Sequence, residues 1–203
     1  MGLIDFVKEA GEKLFGRGNA QAAMAEAKSD PGSEAKAKAA NDAAGDAILA
    51  YIKAQNHATE TSRQAVQALI PEAEKCGVVI ALENVWNNLW VMPDFFAAFV
   101  KSFDSPWVKA YLDLGNHAKY APTPLWIEAL GEHIAKCHVK DFRLNPDGKG
   151  GDFVDIRDGS NDWPAIRTAL ERVGYSGWLT IEGSGGLTLA EQNRRLDLIV
   201  RGE

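Results

Sequence analysis

The stretch Val78–Glu83, VVIALE, determines how this chain is interpreted, because five apolar residues end there in a single glutamate. An apolar run of this length after Gly77 is typical of a strand that is covered on both faces. Three further stretches have the same form, namely Val108–Asp113, Ile134–Val139 and Trp178–Glu182. The sequence therefore predicts four buried strands, each with a polar or ionisable side chain at or near its carboxyl end.

Helical patterns alternate with these strands. Thr123 and Pro124 are typical of a helix N-cap followed by proline at the first helical position. Strands that alternate with helices through short connections predict an α/β fold, in which helical crossovers join the strands of a parallel sheet. The predicted helices are 59–77, 93–102, 123–130, 163–173 and a last one after Thr188.

The strand ends carry side chains that can bind a metal. Because the carboxyl ends of parallel strands meet on one face, these side chains are expected to converge. Three carboxylates and one imidazole repel each other unless a cation lies among them. Mixed oxygen and nitrogen ligands favour Mn²⁺, Co²⁺, Zn²⁺ or Mg²⁺. The alternative is that the glutamates form ion pairs with Lys136, Lys140 or Arg143. The four candidates are Glu83, Asp113, His138 and Glu182.

Four motifs, ALENVW, LDLGNHAKY, CHVKDF and DIRDGSNDWPAI with the following GYSGWLTIEG, resemble xylose-isomerase-like TIM barrels. They resemble the sugar phosphate isomerase/epimerase branch in particular, and the likeness covers about residues 59–203. The resemblance implies that Glu83, Asp113, His138 and Glu182 are the four metal ligands. It also implies that Glu83 and Glu182 form the acid/base pair of an isomerase or epimerase.

Further residues are candidates for binding a sugar or sugar phosphate. The resemblance implies that Asn116 or His117, after the aspartate, contacts substrate, and that Arg143 lies near another contact position. Trp86, just past the first glutamate, is a candidate wall of a sugar pocket. The glycine-rich segment around Ser184, ahead of the last helix, is a candidate phosphate site.

The chemistry follows from these residue types. A metal that is chelated by adjacent substrate oxygens polarises the carbonyl and acidifies the neighbouring C–H. One glutamate takes that proton to give a cis-enediolate, and the other returns it to the opposite face or to the adjacent carbon.

Only half of a TIM barrel is found in the sequence, since such a barrel has eight strands. We expect residues 57–203 to form the C-terminal half-barrel. Residues 1–56 are expected to form a helical, alanine-rich N-terminal extension, with a flexible linker or a loosely held helix at residues 19–45 and a short helix ending near Asn56. The opening Met1–Phe15, with GLIDFVKEAGEKLF, resembles the start of the BON–LysM family of small bacterial binding proteins.

Three explanations fit a half-barrel. The chain forms a homodimer that closes the barrel, it is a truncated or chimeric half-barrel with weak or absent catalysis, or it binds a metal or ligand without turnover. The net charge of −6 argues against nucleic acid and anionic membranes as partners. With no apolar stretch long enough to span a membrane, we expect a cytoplasmic protein.

Overall fold

The structure is a computed structural model that describes residues 31–183 and 185–203, with side chains described at residue 39 and from residue 41 onward. The resemblance of Met1–Phe15 to BON–LysM proteins lies outside the described residues. The chain divides into two units between Thr61 and Ser62. The second unit, Ser62–Glu203, holds every strand that the structure describes.

Helices and strands alternate as the sequence predicts. The helices are α1 (Pro31–Cys76), α2 (Pro93–Lys101), α3 (Thr123–Leu130), α4 (Trp163–Arg172) and α5 (Leu189–Arg201), with a 3₁₀ turn at Gly131–His133. The strands are β1 (Ile80–Glu83), β2 (Val108–Asp113), β3 (Ile134–Val139), β4 (Asp141–Leu144), β5 (Gly151–Val154) and β6 (Trp178–Ile181).

Four of the strands form one parallel sheet in the order β1–β2–β3–β6. This sheet and its helical crossovers are part of a TIM barrel, and they confirm the predicted fold class. The remaining two strands, β4 and β5, form an antiparallel hairpin of their own. This hairpin is not predicted from the sequence, because its strands DFRL and GDFV lack the apolar run that is typical of the strands in the parallel sheet.

The two faces of the parallel sheet differ in burial. On the outer face, Ala110, Leu112, Cys137 and Val139 are completely buried and join a core with side chains of the surrounding helices. The inner face carries the opposite parity, with Tyr111, Lys136, His138 and Thr180 only partly buried and Ala81 exposed. The expectation that every strand is covered on both faces is therefore wrong for the inner face, which the described residues leave open.

The N-terminal helix is longer than the sequence predicts. Residues 31–45, the described part of the segment expected as a mobile linker or a loosely held helix, are helical, and α1 continues through Asn56, where the sequence predicts a helix end. Because alanine, lysine and glutamate are strong helix formers, nothing in this stretch interrupts the helical backbone. Leu49, Tyr51 and Ile52 on this helix are exposed.

Two local boundaries also differ. Strand β1 begins at Ile80, so that Val78 and Val79 precede it and are exposed. Thr123 is the first residue of α3 rather than its N-cap, which is Pro122. The Thr123 hydroxyl instead contacts Leu114 O at 3.0 Å and Asn161 Oδ1 at 2.9 Å. Its polar group therefore ties the end of β2 to the loop before α4.

Candidate metal centre

Four potential metal ligands meet at the carboxyl end of the parallel sheet. In the strand register, Asp113 pairs with His138. Glu83 ends β1 beside Tyr111, and Glu182 directly follows Ile181, which pairs with Val139. One ligand atom from each of Glu83, Asp113, His138 and Glu182 lies within 4.8 Å of all the others. Side chains that are far apart in the sequence thus converge because the strands that carry them are parallel and adjacent.

His138 is at the centre of this group. Its Nδ1 atom is 3.0 Å from Glu83 Oε1, 3.2 Å from Glu182 Oε2 and 3.9 Å from Asp113 Oδ2. The imidazole ring also packs on Tyr111, with ring centroids 4.0 Å apart. The Tyr111 hydroxyl is itself 2.7 Å from Thr180 Oγ1, across the inner face of the sheet. Side chains of the neighbouring strands β2 and β6 thus hold the His138 ring in its orientation.

The two carboxylate oxygens of Asp113 have different surroundings. Oδ1 accepts hydrogen bonds from the backbone N–H groups of Gly115, at 2.8 Å, and Asn116, at 2.7 Å. Oδ2 is buried and has no hydrogen-bond partner. Burial raises the pKa of Asp113 to about 7, against the hydrogen bonds that favour the charged form.

A divalent cation fits this arrangement. A buried carboxylate oxygen without a partner is costly, and a cation among the three carboxylates would satisfy it and reduce their mutual repulsion. The donor set of three carboxylates and one imidazole is one that Mn²⁺, Co²⁺, Zn²⁺ and Mg²⁺ accept.

Lys140 supplies the positive charge that faces these carboxylates in the structure. Its Nζ atom donates a hydrogen bond to Glu182 Oε1 at 2.8 Å and is 4.0 Å from Asp113 Oδ2. The hydrogen bond from Lys140 lowers the pKa of Glu182. One of the ion pairs considered as the alternative for the glutamates is thus present, between Lys140 and Glu182. It does not replace the cluster, because the other oxygen of Glu182 remains close to His138.

The cluster opens into a cleft of about 440 Å³. The rings of Trp86, from the loop after β1, and Phe153, from the β4–β5 hairpin, lie 4.8 Å apart and form one wall. The Lys140 ammonium lies 4.4 Å from the centroid of the Phe153 ring. The lining residues are Glu83, Val85, Trp86, Asn116, His138, Lys140, Phe153 and Glu182.

The predicted substrate residues divide into two groups. Trp86 and Asn116 line the cleft, and the indole N–H of Trp86 donates to the carbonyl oxygen of Asn116. His117, in contrast, is shielded from solvent. It is buried against Trp126 and Tyr120, with Nε2 3.2 Å from Val85 O, and it does not line the cleft.

The other two predicted substrate residues are Arg143 and Ser184. Arg143 lies on β4 with an exposed side chain, because the hairpin turns its position away from the cluster. Ser184 lies outside the described residues, so its predicted contact with a phosphate stays a prediction.

Two residues at this site are not predicted from the sequence, namely Asn84, which contacts the Asp113 backbone, and Phe153, which lines the cleft. Asn84 directly follows Glu83 in the ENVW motif, and its buried amide next to a predicted ligand was an available signal. Phe153 depends on a hairpin that only the tertiary structure shows, and no sequence pattern pointed to it.

The family of the chain follows from comparison with known proteins. The family model described as "Xylose isomerase-like TIM barrel" matches residues 34–197, and the chain belongs to this family. The match begins earlier than the resemblance at residues 59–203, inside helix α1. No curated protein sequence is significantly similar to the chain.

Solved structures show the same fold at low sequence identity. A D-tagatose 3-epimerase-like protein is 20% identical with a TM-score of 0.60, covering 71% of this chain and 54% of its own. The IOLI protein with a bound zinc atom is 23% identical with a TM-score of 0.59, covering 70% and 56%. A xylose isomerase-like TIM barrel protein from Mycobacterium smegmatis in complex with magnesium is 22% identical with a TM-score of 0.56, covering 71% and 51%.

The chain spans about half the length of these solved structures. At these identities the likeness establishes the fold alone. Among the described residues, no helix has the length and apolar character needed to cross a membrane.

Proposed function

We propose that this chain is a divalent-metal-dependent isomerase or epimerase that acts on a sugar or sugar phosphate. The observation that carries the proposal is the convergence of Glu83, Asp113, His138 and Glu182, with a buried and unpartnered Asp113 oxygen facing the other three. Membership of the xylose isomerase-like family and the epimerases among the similar structures support it.

The four clustered residues would hold the metal. The bound ion would polarise a substrate carbonyl and acidify the adjacent C–H. Glu83 and Glu182 are proposed to move the proton, one removing it from carbon and the other returning it. The hydrogen bond from Lys140 keeps Glu182 ionised and therefore able to accept a proton.

The cleft suits a small polyhydroxylated molecule. Its wall of Trp86 and Phe153 offers apolar rings to the C–H face of a sugar, while Asn116 and Lys140, which contact these rings, offer polar groups beside them. We propose substrate contact for Trp86 and Asn116. Lys140 would attract an anionic substituent such as a phosphate.

We also propose that a second copy of the chain completes the barrel. Strands β1 and β6 are the two edges of the described parallel sheet, and exposed apolar side chains adjoin both, Val78 before β1 and Trp178 on β6. A two-fold axis along the barrel would place β6 of one copy beside β1 of the other, parallel as elsewhere in the sheet. This pairing would cover edges that otherwise favour aggregation.

Metal content and proton exchange test the proposed function together. We expect about one divalent ion per chain by elemental mass spectrometry, on a sample whose molar mass is measured by light scattering. Ketoses and ketose phosphates in deuterated water should then lose one C–H signal in proton NMR.

Two other results would change the assignment. Metal without exchange on any sugar would favour the second candidate, a half-barrel that binds a metal or ligand without turnover. A metal-free chain without exchange would contradict the isomerase assignment. The proposed cytoplasmic location follows from the sequence and is independent of this test.

A further inference from the structure

We propose that Asn84 is a positioning residue of the metal centre, which sets the separation between the ligands Glu83 and Asp113. The inference rests on the proposed function, since it needs a metal to bind at the cluster. The side chain of Asn84 lies beside the proposed ligands, and Asn84 is not itself a ligand.

The four ligand-bearing strand ends are joined at three junctions. Between β2 and β3, the Leu114 N–H donates to His138 O at 3.0 Å. Between β3 and β6, the Glu182 N–H donates to Val139 O at 3.1 Å. These two junctions are backbone hydrogen bonds that continue the parallel ladders past the last paired residues.

The junction between β1 and β2 is made by a side chain. The ladder pairs Glu83 with Tyr111 as its last described rung. Beyond it, the Asn84 amide donates from Nδ2 to Asp113 O at 2.9 Å, and its Oδ1 accepts from Asp113 N at 2.7 Å. The amide side chain thus takes the place of a backbone rung and holds the residue after one ligand against the backbone of another.

Further contacts hold Asn84 in place. Asn84 is 2% exposed, and its backbone carbonyl oxygen accepts a hydrogen bond from Nδ2 of Asn116 at 3.0 Å. The backbone N–H of Asn116 donates to Asp113 Oδ1. Asn84 therefore fixes the Asp113 backbone while the following turn fixes its carboxylate, which leaves Oδ2 directed at the cluster.

Removal of this amide should weaken metal binding. In Asn84→Ala, the N–H and C=O of Asp113 lose their partners in a buried place, and the ends of β1 and β2 are no longer tied to each other. Groups that orient metal ligands typically change metal affinity by about 10- to 100-fold. We expect a loss in this range and a changed coordination geometry.

Cobalt titration tests the inference, with Co²⁺ alone as the probe. The dissociation constant is measured by competition with a chelator, and the visible absorption spectrum of bound Co²⁺ reports its coordination. Thr123→Val is a matched control. It removes a similarly buried polar group that bonds to Leu114 O, one residue after Asp113, without touching any ligand.

We expect Asn84→Ala to weaken Co²⁺ binding about 10- to 100-fold and to alter the spectrum, whereas Thr123→Val keeps the wild-type spectrum. Should Asn84→Ala fail to fold, Asn84→Ser retains a group able to bond one of the two backbone atoms and should give an intermediate loss. If the Asn84 variant that folds keeps the wild-type affinity and spectrum, the inference is overturned. The same holds if Thr123→Val shows the same losses. Neither result would affect the proposed function. A wild-type chain that binds no Co²⁺ would overturn the proposed function and the inference with it.

Discussion

Lys140 donates from Nζ to Oε1 of Glu182 over 2.8 Å, at the point where the carboxyl ends of β3 and β6 lie side by side. The pair lies inside the cleft wall and next to three other ionisable side chains. Lys140 therefore partly offsets the negative charge that a metal would also neutralise.

Lys140→Met should strengthen metal binding by up to about tenfold, because a positive charge a few ångströms from the ion is removed. The metal-free protein should unfold at a lower temperature, since its carboxylates lose their nearest cation. Chelator competition with Co²⁺ and thermal unfolding with and without metal measure both effects. Weaker Co²⁺ binding in Lys140→Met would show that Lys140 supports the ion rather than competing with it.

Glu182→Gln should abolish exchange of a substrate C–H with solvent and weaken metal binding only moderately. The amide keeps one oxygen for the ion but cannot accept a proton from carbon. Deuterium incorporation by NMR at saturating metal is the measurement. Glu128→Gln, on the exposed surface of α3 and paired with Arg172, is the control. Exchange at the wild-type rate in Glu182→Gln would remove this residue from the acid/base pair.

His138→Ala should lose metal stoichiometrically. The imidazole is the one nitrogen ligand of the cluster, and its Nδ1 contacts all three carboxylates. Metal content after gel filtration tests this, with His133→Ala from the 3₁₀ turn as the control. Full retention of metal in His138→Ala would exclude His138 as a ligand.

His117 should make the fold sensitive to acid. Burial lowers its pKa from 6.5 to about 4, because protonation would place a charge among Trp126, Tyr120 and the Val85 carbonyl. The unfolded chain binds the proton first, so this contribution to stability is complete above pH 6.5 and is lost as pH falls towards 4. The expected loss is about 3 kcal/mol in the free energy of unfolding.

Urea unfolding at a series of pH values measures this loss. In His117→Gln the contribution of His117 between pH 6.5 and 4 should disappear, which leaves the opposite contribution of Asp113, whose raised pKa stabilises the fold as pH falls. Thr123→Val, which is destabilised but keeps the histidine, should retain both contributions. An unchanged pH dependence in His117→Gln would assign the acid sensitivity to other groups.

Trp178→Glu should convert the proposed dimer into a monomer. Trp178 is 78% exposed on the edge strand β6, so the substitution costs the isolated chain little but places a charge where β1 of a second copy would pair. Light scattering gives the molar mass. Phe95→Glu, 64% exposed on helix α2 rather than on a strand, should leave the mass unchanged. Equal masses for wild type and Trp178→Glu would argue against pairing through this edge.

The strands of the parallel sheet and the four side chains that cluster at its carboxyl end could be predicted from the sequence, because each depends on local order. In a parallel α/β chain, a short apolar run that ends in a carboxylate, as at Glu83 and Asp113, predicts a buried strand with that carboxylate at its carboxyl end. Because side chains alternate in direction along a strand, the positions of Asp113 and His138 in the sequence also imply which residues of β2 and β3 share their face. The structure agrees with that parity, since Leu112 and Cys137 are buried on the opposite face.

The β4–β5 hairpin and the environment of His117 could not be predicted in the same way. The hairpin pairs two four-residue strands across a loop, and neither DFRL nor GDFV has the apolar run from which the strands of the parallel sheet are predicted. His117 and Asn116 are neighbours in sequence, yet one is buried behind the cleft and the other lines it. Only the direction of the turn after β2 separates them.

The amino-acid sequence was sufficient to predict the four strands of the parallel sheet, the helices between them and the four side chains at the carboxyl end of the sheet, because these follow from the spacing of apolar and ionisable residues along each strand. Three contacts are visible only in the folded chain: Asn84 joins β1 to β2, Lys140 pairs with Glu182, and Phe153 meets Trp86. These contacts connect residues from different loops, and their distances depend on how the strands are stacked and twisted rather than on any pattern within one segment.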